Sequence, residues 1–262
     1  MNKQKLELIT YECQIGMYYS EIFKLKNGFI VYSNLVDEPE WNFFAGFKAK
    51  TVAEFESAYS EAKKYFAKFN RTPNFAISPL CKISKQVIEH INKNYKNYLN
   101  HSTLLTKTIK PIKTLPSNYS YRVIDNKTEK ELFVNTYTTS KNQHLPGEVY
   151  TTFPKCFIDA LSSSFDNYSK WKYYNYVSLY KNKPIGMISA CVKNKFCGFY
   201  GGGTYVKHRG KGVFTNMLKH IETDLKKKGV KYLFGIVVSD TYNEKLYNAI
   251  NWKSVFKTSY YV

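Results

Sequence analysis

The 262-residue chain has little arginine, little acidic charge and no long apolar run. Of its 39 basic residues, three are arginine (Arg71, Arg122 and Arg209), and 20 acidic residues leave a formal net charge of +19. The lack of arginine clusters argues against nucleic-acid readout, because arginine makes many base and phosphate contacts. No apolar run approaches the roughly 20 residues of a membrane-spanning helix, so we expect no membrane partner.

Cysteine is also scarce, with five residues and no CxxC pair. This pattern argues against a disulfide framework and against a zinc site, so we expect no metal. Cys191 and Cys197 flank a predicted hairpin turn and could face one another, although reduced thiols are the simpler expectation. The first residues, MNKQKLELITYE, lack the apolar core of a secretory signal. A cytoplasmic location is therefore predicted.

The composition favours a packed globular protein, since 44% of the residues are hydrophobic and 17% are aromatic. A charge of +19 would attract acidic partners such as nucleic acid, an anionic membrane or a polyanionic cofactor. The lysines are scattered, however, and biased base composition explains their number equally well. The aromatic group at Trp41, Phe43, Phe44 and Phe47 is either an interaction surface or, more simply, core packing.

The segment 110–118, KPIKTLPSN, carries two prolines and separates two stretches of mixed strand and helix pattern. We therefore predict a first domain at 1–110, a linker at 111–118 and a second domain at 119–262. In the second domain the predicted order is strand, two helices, three strands of an antiparallel meander, helix, strand, helix and strand. Thr128 and Glu131 are spaced as a capping box for the first of these helices.

The first domain repeats part of this order. Its predicted strands are 29–34, 40–47 and 74–78, its helices are 52–69 and 84–95, and a final strand reaches Ile109. Thr51 and Glu54 form a predicted capping box. The joint before the first helix, KAKTVAEF, contains no glycine. The first domain is thus predicted to be a divergent duplicate without a phosphate-binding turn.

Residues 198–212, GFYGGGTYVKHRGKG, contain six of the 13 glycines and lead into the amphipathic stretch VFTNMLKHIETDL. A glycine turn at a helix N-terminus lets the backbone approach an anion closely and offers unpaired N–H groups. The segment therefore predicts a strand, a phosphate-binding turn and a helix. Arg209 in this turn is expected to direct its planar guanidinium at phosphate oxygens.

The run VKHRGKGVF resembles the pyrophosphate-binding motif of the GNAT superfamily of acyl-CoA-dependent N-acyltransferases, written (Q/R)xxGx(G/A). Arg209 and Gly212 match the motif, whereas Phe214 stands where a small residue is usual. The later segment SDTYNEKLYNAINWKSV resembles the closing segment of the family, with Leu246, Tyr247 and Trp252 in place. Asp240, Asn243 and Asn251 differ from the usual asparagine, small residue and glycine.

The resemblance implies an α/β (α+β) fold with a mixed central sheet flanked by helices, in tandem with a second, smaller GNAT-like half. It implies that acetyl-CoA binds in a cleft between splayed strands. Its pantetheine would pair with backbone at Tyr205 and Val206, and a backbone N–H between Gly203 and Val206 would stabilise the oxyanion. The implied cofactor residues are Tyr205, Val206, Arg209, Gly210, Lys211, Gly212, Val213, Phe214 and Asn243.

Tyr247 matches the usual acid of the family, which protonates the leaving thiolate. The general base is not evident, since the strand FCGFYGGGTYV has no carboxylate. His144, Glu148 and Asp240 are candidates, although each is more simply a solvated loop residue, and water-mediated deprotonation is the default. His208 beside Arg209 is expected to resist protonation.

The resulting hypothesis is an N-acetyltransferase that acts on a primary amine of a small or amino-acid-like molecule. Two alternatives stay open. Tandem GNAT proteins include aminoacyl-tRNA-dependent transferases, and +19 suits that polyanion. Otherwise the chain is a non-catalytic binding module.

Overall fold

The computed structural model describes residues 2–15, 21–110, 118–124, 129–143, 154–165 and 172–262. The chain divides into two compact units. The first combines Met1–Leu105 with Ile236–Val262, and the second is Thr106–Gly235. No helix among the described residues is both long and apolar enough to cross a membrane.

The first unit is a sheet with helices. Its helices are α1 (Lys3–Gln14), α2 (Val52–Lys68), α3 (Lys85–Asn94) and α7 (Tyr242–Ala249). Its strands lie in the sheet in the order β1 (Glu21–Leu25), β2 (Gly28–Tyr32), β3 (Phe43–Ala45), β5 (Phe75–Ile77), β13 (Lys253–Tyr261) and the first residues of β7 (Asn97–Thr108). Two further short strands, β4 (Lys48–Ala49) and β6 (Lys82–Ile83), pair with each other in parallel.

Aromatic side chains fill the core of this unit. Phe44, Phe47, Phe55 and Phe75 are fully buried, and their rings pack 5.0 to 6.1 Å apart, stacked, tilted or edge to face. Phe43 is buried as well, on the opposite side of the sheet, in a cluster with Tyr11 and Tyr260. Core packing is thus the correct interpretation of the phenylalanines in the aromatic group.

The second unit has a sheet whose strands are β8 (Ser120–Ile124), β9 (Lys172–Tyr180), β10 (Lys183–Lys193), β11 (Phe196–Thr204) and the first residues of β12 (Tyr232–Val238). They lie in the order β12-β11-β10-β9-β8. Strands β8 to β11 pair antiparallel with their neighbours, whereas β11 pairs in parallel with β12. Its helices are α4 (Lys130–Asn142), α5 (Lys155–Ser164) and α6 (Val213–Lys227). The predicted element order of this region is therefore confirmed within the described residues.

The amphipathic helix α6 shows why the sequence forms this element. Val213, Met217, Leu218, Ile221 and Leu225 are spaced three to four residues apart and are all buried. Gly229, at a φ of 82°, ends the helix in a left-handed conformation. Both ends of the predicted helix are thus set by glycine.

All five cysteines lie in the described residues, and none of them forms a disulfide bond. Cys191 pairs across the β10–β11 hairpin with Gly198, and Cys197 pairs with Val192. Successive residues of a strand point to opposite faces, so this one-residue offset keeps the two thiols apart.

Several predicted helices, strands and caps need correction, and others lie outside the residues that the structure describes. Helix α1 and strand β1 had no predicted counterpart, and the predicted strand 40–47 is a short 3₁₀ turn at Pro39–Trp41 followed by β3. The Thr51 capping box is confirmed. Thr128 and residues 111–117 of the linker lie outside the described residues.

The contacts group residues 236–262 with the first unit, whereas the sequence places them in a domain 119–262. The physical reason is strand pairing. Ser259, Tyr260 and Tyr261 of β13 pair antiparallel with Ile77, Ala76 and Phe75 of β5. The C-terminal strand thereby completes the sheet of the N-terminal unit.

Candidate cofactor site

The glycine-rich turn joins β11 to α6 in the second unit. After β11 ends at Thr204, a short 3₁₀ turn covers Val206–His208, and α6 begins at Val213. Gly210 and Gly212 have φ values of 70° and 73°, which L side chains rarely adopt. The backbone conformation therefore explains both glycines of the motif.

Residues 210–212 of this turn are exposed to solvent. No described residue accepts a hydrogen bond from the N–H of Gly210, Lys211 or Gly212. A Cβ added at Gly210 would meet nothing within 4 Å, and one at Gly212 would meet only Asn216 Nδ2 at 3.6 Å. Unpaired N–H groups at the start of a 15-residue helix favour an anion.

The corresponding helix of the first unit is closed to such a ligand. The Thr51 hydroxyl accepts from the Glu54 N–H at 3.2 Å, and the Glu54 carboxylate accepts from the Lys50 N–H at 2.6 Å. The N-terminus of α2 thus carries its own anion, whereas Gly212 gives α6 no side-chain cap. This contrast supports the prediction that the first half lacks a phosphate turn.

Arg209 does not have the expected orientation. Its Nε donates to the Thr204 carbonyl at 3.1 Å, and its Nη2 donates to the carbonyls of Gln143 at 3.1 Å and Ser140 at 3.4 Å. Ser140 lies in the last turn of α4, where a cation is favourable. The guanidinium therefore ties the turn to the end of α4, and the expectation that its fork is directed at phosphate oxygens needs correction.

The backbone at Tyr205 and Val206 is also occupied. The Tyr205 N–H donates to the Ile185 carbonyl at 2.8 Å, and the Val206 N–H donates to Gln143 Oε1 at 3.0 Å. Their carbonyls accept from the N–H groups of His208 and Arg209. In this structure the two residues are not open for the pairing with pantetheine that the resemblance implies.

Strand β11 offers another backbone segment. Its parallel pairing with β12 ends at Phe199 and Gly235, although β11 continues to Thr204. On its other edge, Met187 pairs with Gly203 and Ser189 pairs with Tyr200, so Gly201 and Gly202 together oppose Ile188. This is a β-bulge, which redirects backbone groups out of the regular ladder.

The glycines of the bulge region leave space that other side chains fill. A Cβ at Gly202 would lie 2.9 Å from Phe214 Cε2, and a Cβ at Gly203 would clash with Ser140 Oγ of α4. Phe214, which departs from the family motif, therefore packs its ring against the glycine strand. The space left by the missing side chain of Gly202 on β11 therefore accommodates the large ring of Phe214.

Lys141 is a residue that the sequence analysis did not single out. Its Nζ donates to the Gly202 carbonyl at 3.3 Å and lies 5.6 Å from the centre of the Tyr137 ring. Burial, followed by the charge of Arg209, lowers the pKa of Lys141. One of 36 scattered lysines carries no distinguishing sequence signal, so only the packing of α4 on β11 reveals it.

Tyr247 lies in α7, which belongs to the first unit. Its ring packs edge to face against Trp252 at 4.9 Å, and burial raises its pKa above the usual range of tyrosine. The phenol is thus fully protonated at neutral pH, as an acid must be before it reacts. Asn243 is exposed in the first turn of the same helix.

A buried carboxylate fixes the start of α7. Glu244 Oε2 accepts from the Asp240 N–H at 2.7 Å, and Glu244 Oε1 accepts from the Ser254 hydroxyl at 2.8 Å. Both hydrogen bonds lower the pKa of Glu244, and the one from the Asp240 N–H has the larger effect. Asp240 itself is exposed and forms an ion pair with Lys257 at 2.9 Å. Asp240 therefore has the solvated character expected for it.

The remaining base candidates are of two kinds. His144 and Glu148 lie outside the described residues. His208 is described, and burial followed by the charges of Lys207 and Lys211 lowers its pKa; the direction is the expected one, but Arg209, the neighbour from which it was expected, is not among the causes. Among the residues that the structure describes, no group of three or more His, Cys, Asp or Glu is placed to hold a metal ion.

Residues 142–251 match the model of the acetyltransferase (GNAT) family. This region is a GNAT domain. The match covers the turn 209–214 and the segment with Tyr247, so the resemblance to the GNAT family that the sequence indicated is confirmed for this region. No curated protein matches the chain.

Solved structures extend the GNAT fold over the rest of the chain. A conserved protein of unknown function from Staphylococcus epidermidis aligns with a TM-score of 0.66 at 10% identity, covering 95% of both chains. A GCN5-related N-acetyltransferase from Kribbella flavida aligns at 0.61 with 12% identity, covering 97% of this chain and 93% of its own.

A tandem GNAT protein from the clavulanic acid biosynthesis pathway aligns with a TM-score of 0.56 at 11% identity, covering 80% of this chain and 69% of its own. At such identities these structures show the fold alone. The fold agrees with a C-terminal GNAT domain preceded by a degenerate GNAT-like half, as the sequence predicted.

Proposed function

We propose that this chain is an N-acetyltransferase that moves an acetyl group from acetyl-CoA to a primary amine of a small or amino-acid-like molecule. The observation that carries the proposal is the turn with open N–H groups at Gly210, Lys211 and Gly212 in front of α6. Such a turn suits a diphosphate, because the helix dipole and the amide hydrogens act together. The GNAT match gives the reaction class.

In the proposed complex, backbone of residues 209–214 holds the pyrophosphate, and Arg209 acts by holding that backbone in place. The edge of β11 beyond Phe199, where the pairing with β12 has ended, receives the pantetheine in place of Tyr205 and Val206. The bulge at Gly201 and Gly202 supplies the N–H for the developing oxyanion. Asn243 remains a proposed cofactor contact.

The proposed chemistry is direct attack of a neutral amine on the thioester carbonyl. The amine first gives a proton to water, since no described carboxylate on β11 is available as base. As the C–N bond forms and the C–S bond breaks, Tyr247 donates its phenolic proton to the leaving thiolate, and the proton lost from the attacking nitrogen returns through water to the phenolate.

The test is release of free thiol from acetyl-CoA in the presence of pooled primary amines, together with calorimetric titration of CoA. Gly212→Glu places a carboxylate among the open amides and should abolish CoA binding. Gly229→Glu is the matched control: it is a positive-φ glycine at the other end of α6 with nothing within 4 Å. Equal CoA affinity of both variants would contradict the proposed site.

The charge of +19 supports a second candidate, an aminoacyl-tRNA-dependent transferase. Binding of tRNA should then weaken steeply with added salt, because counterions are released from the phosphates. Absence of tRNA binding at low salt would remove this candidate. The open phosphate turn favours acetyl-CoA over it.

A further inference from the structure

Exposed lysines from three separate segments meet at one end of the second unit. Two lie in the last turn of α6, one follows the turn that ends this helix, one lies in the β10–β11 hairpin and one lies just after β7. In that order they are Lys226, Lys227, Lys231, Lys195 and Lys110, and all are exposed. We call these five residues the lysine patch.

Backbone hydrogen bonds hold the three segments of the patch together. The N–H groups of Lys231 and Tyr232 both donate to the Lys195 carbonyl, at 2.8 and 3.0 Å. The Ile109 N–H donates to the Lys231 carbonyl at 3.0 Å. The lysines are therefore brought together by the pairing of their own segments, which the sequence alone does not show.

The acidic residues of this region are already neutralised. The stretch 172–239 contains two of them, Glu222 and Asp224. Glu222 is buried and accepts from Lys107 Nζ at 2.7 Å, and Asp224 accepts from Lys228 Nζ at 2.5 Å. Among the residues that the structure describes, no aspartate or glutamate forms an ion pair with a lysine of the patch. The patch is thus a local concentration of positive charge.

Helix stability explains only part of the patch. The C-terminal end of a helix favours cations, which accounts for Lys226 and Lys227. It does not account for Lys110, Lys195 and Lys231, which lie outside the helix. Like charges that are held close together repel one another, and a bound polyanion reverses this cost.

The side chains of the second unit indicate the chemistry of the partner. Its described residues expose no large hydrophobic side chain. Protein interfaces rely on aromatic and arginine anchors and contain little lysine. Stable attachment to a membrane needs an apolar or lipid anchor in addition to basic residues. Lysine charges alone are sufficient to bind a phosphodiester backbone, so the observations favour nucleic acid.

We propose that the lysine patch binds the phosphate backbone of a nucleic-acid strand without reading its sequence. Such binding needs no arginine cluster, since it makes no base contacts. The patch lies at the C-terminal end of α6, and the turn 209–214 lies before its N-terminus. A 15-residue helix is about 22 Å long, so the strand and CoA can bind at the same time. The inference does not rest on acyl transfer.

The experiment measures binding of the full chain to labelled oligouridylate and oligodeoxythymidylate of about 12 nucleotides by fluorescence anisotropy. If the five lysines neutralise five phosphates, log K should fall with log[KCl] with a slope of about −3.5. Affinity should then decrease about 100-fold between about 50 and 200 mM KCl. The slope should be the same for both strands, and the difference in affinity shows whether RNA or DNA is the better ligand.

Lys195→Gln combined with Lys231→Gln removes two of the phosphate contacts and should change the slope from about −3.5 to about −2. The matched control is Lys24→Gln combined with Lys64→Gln. These two lysines are exposed in the first unit, and their replacement changes the net charge equally. The control should keep the slope of the unmodified chain. Thermal unfolding checks that both double variants fold.

An equal loss in both double variants would show that affinity follows overall charge, and it would overturn the proposal. Saturating CoA should leave the affinity for the strand unchanged. Competition between them would place the strand at the turn 209–214 and would also overturn it. So would absence of binding at low salt, or tighter binding of polyglutamate or of phosphatidylserine vesicles than of either strand. If the patch variant does not fold, the slope and the CoA test on the unmodified chain decide.

Discussion

The ring of Phe214 occupies the space over Gly202, where an added Cβ would lie 2.9 Å from Phe214 Cε2 and 3.2 Å from Ile188 Cδ1. The large residue at the end of the motif and the glycine of β11 thus form a complementary pair. Because Phe214 is the second residue of α6, this contact helps to set where the helix begins relative to the sheet.

Gly202→Ala should therefore destabilise the protein by about 1–3 kcal/mol, the usual cost of overpacking. It should also raise KM for acetyl-CoA, since the ring displaces the turn, with a smaller effect on kcat. Adding Phe214→Ala should recover part of both losses, which thermal unfolding and initial rates can measure. Additive effects in the double variant would contradict the pairing.

Substitutions of Arg209 can show whether its side chain holds the turn to the end of α4 or binds phosphate directly. Arg209→Lys keeps the charge and loses the planar fork that reaches the carbonyls of Thr204, Ser140 and Gln143. If Arg209 acts as an anchor, Arg209→Lys and Arg209→Ala should weaken CoA binding to a similar extent and lower stability by about 1–3 kcal/mol. Near-normal CoA affinity of the lysine variant in calorimetry would instead assign a direct charge contact with phosphate.

Tyr247→Phe tests the proposed acid. We expect kcat to fall by about 10²–10⁴, the range of general acid catalysis, with CoA affinity unchanged, because the phenol acts on the leaving thiolate only. The raised pKa of Tyr247 also predicts that the alkaline limb of the kcat profile lies above the ordinary tyrosine range. A variant with full kcat would show that another group protonates the thiolate.

Glu244 makes stability depend on pH. Its folded pKa is lowered, so its contribution to the free energy of unfolding is present above the unfolded pKa of about 4.3 and is lost as pH falls through the folded value. Wild type should exceed Glu244→Gln in stability by about 1 kcal/mol at neutral pH. Urea unfolding across acidic pH should show this difference disappear, and a constant difference would contradict the assignment.

Sequence reasoning predicted the elements whose signals are local. The periodic apolar residues of α6 and the capping box of α2 needed no tertiary information, and both are found in the structure. Helix α1 was missed although Leu6, Ile9 and Cys13 have helical spacing and Asn2 accepts from the Gln4 N–H as its cap. Short edge strands such as β1 carry no comparable pattern.

In the candidate site, too, some features could be predicted from local sequence and others depend on tertiary packing. Gly210 and Gly212 were predictable because a positive φ requires glycine. The direction of the Arg209 side chain was not, because it depends on Ser140 and Gln143, which are 69 and 66 residues away in sequence, and on where α4 ends. Lys141 was missed for the same reason, since its contact with Gly202 arises only from tertiary packing.

The position of β13 between β5 and β7 has a practical consequence for anyone who divides this protein. Expression of the N-terminal part alone, cut at the proline-rich segment, would leave two strands of its sheet without the neighbour that joins them. We expect that fragment to aggregate through its open edges, and to be rescued by co-expression with a peptide of residues 236–262. The sheet of the first unit can therefore be completed only after residues 236–262 have been synthesised.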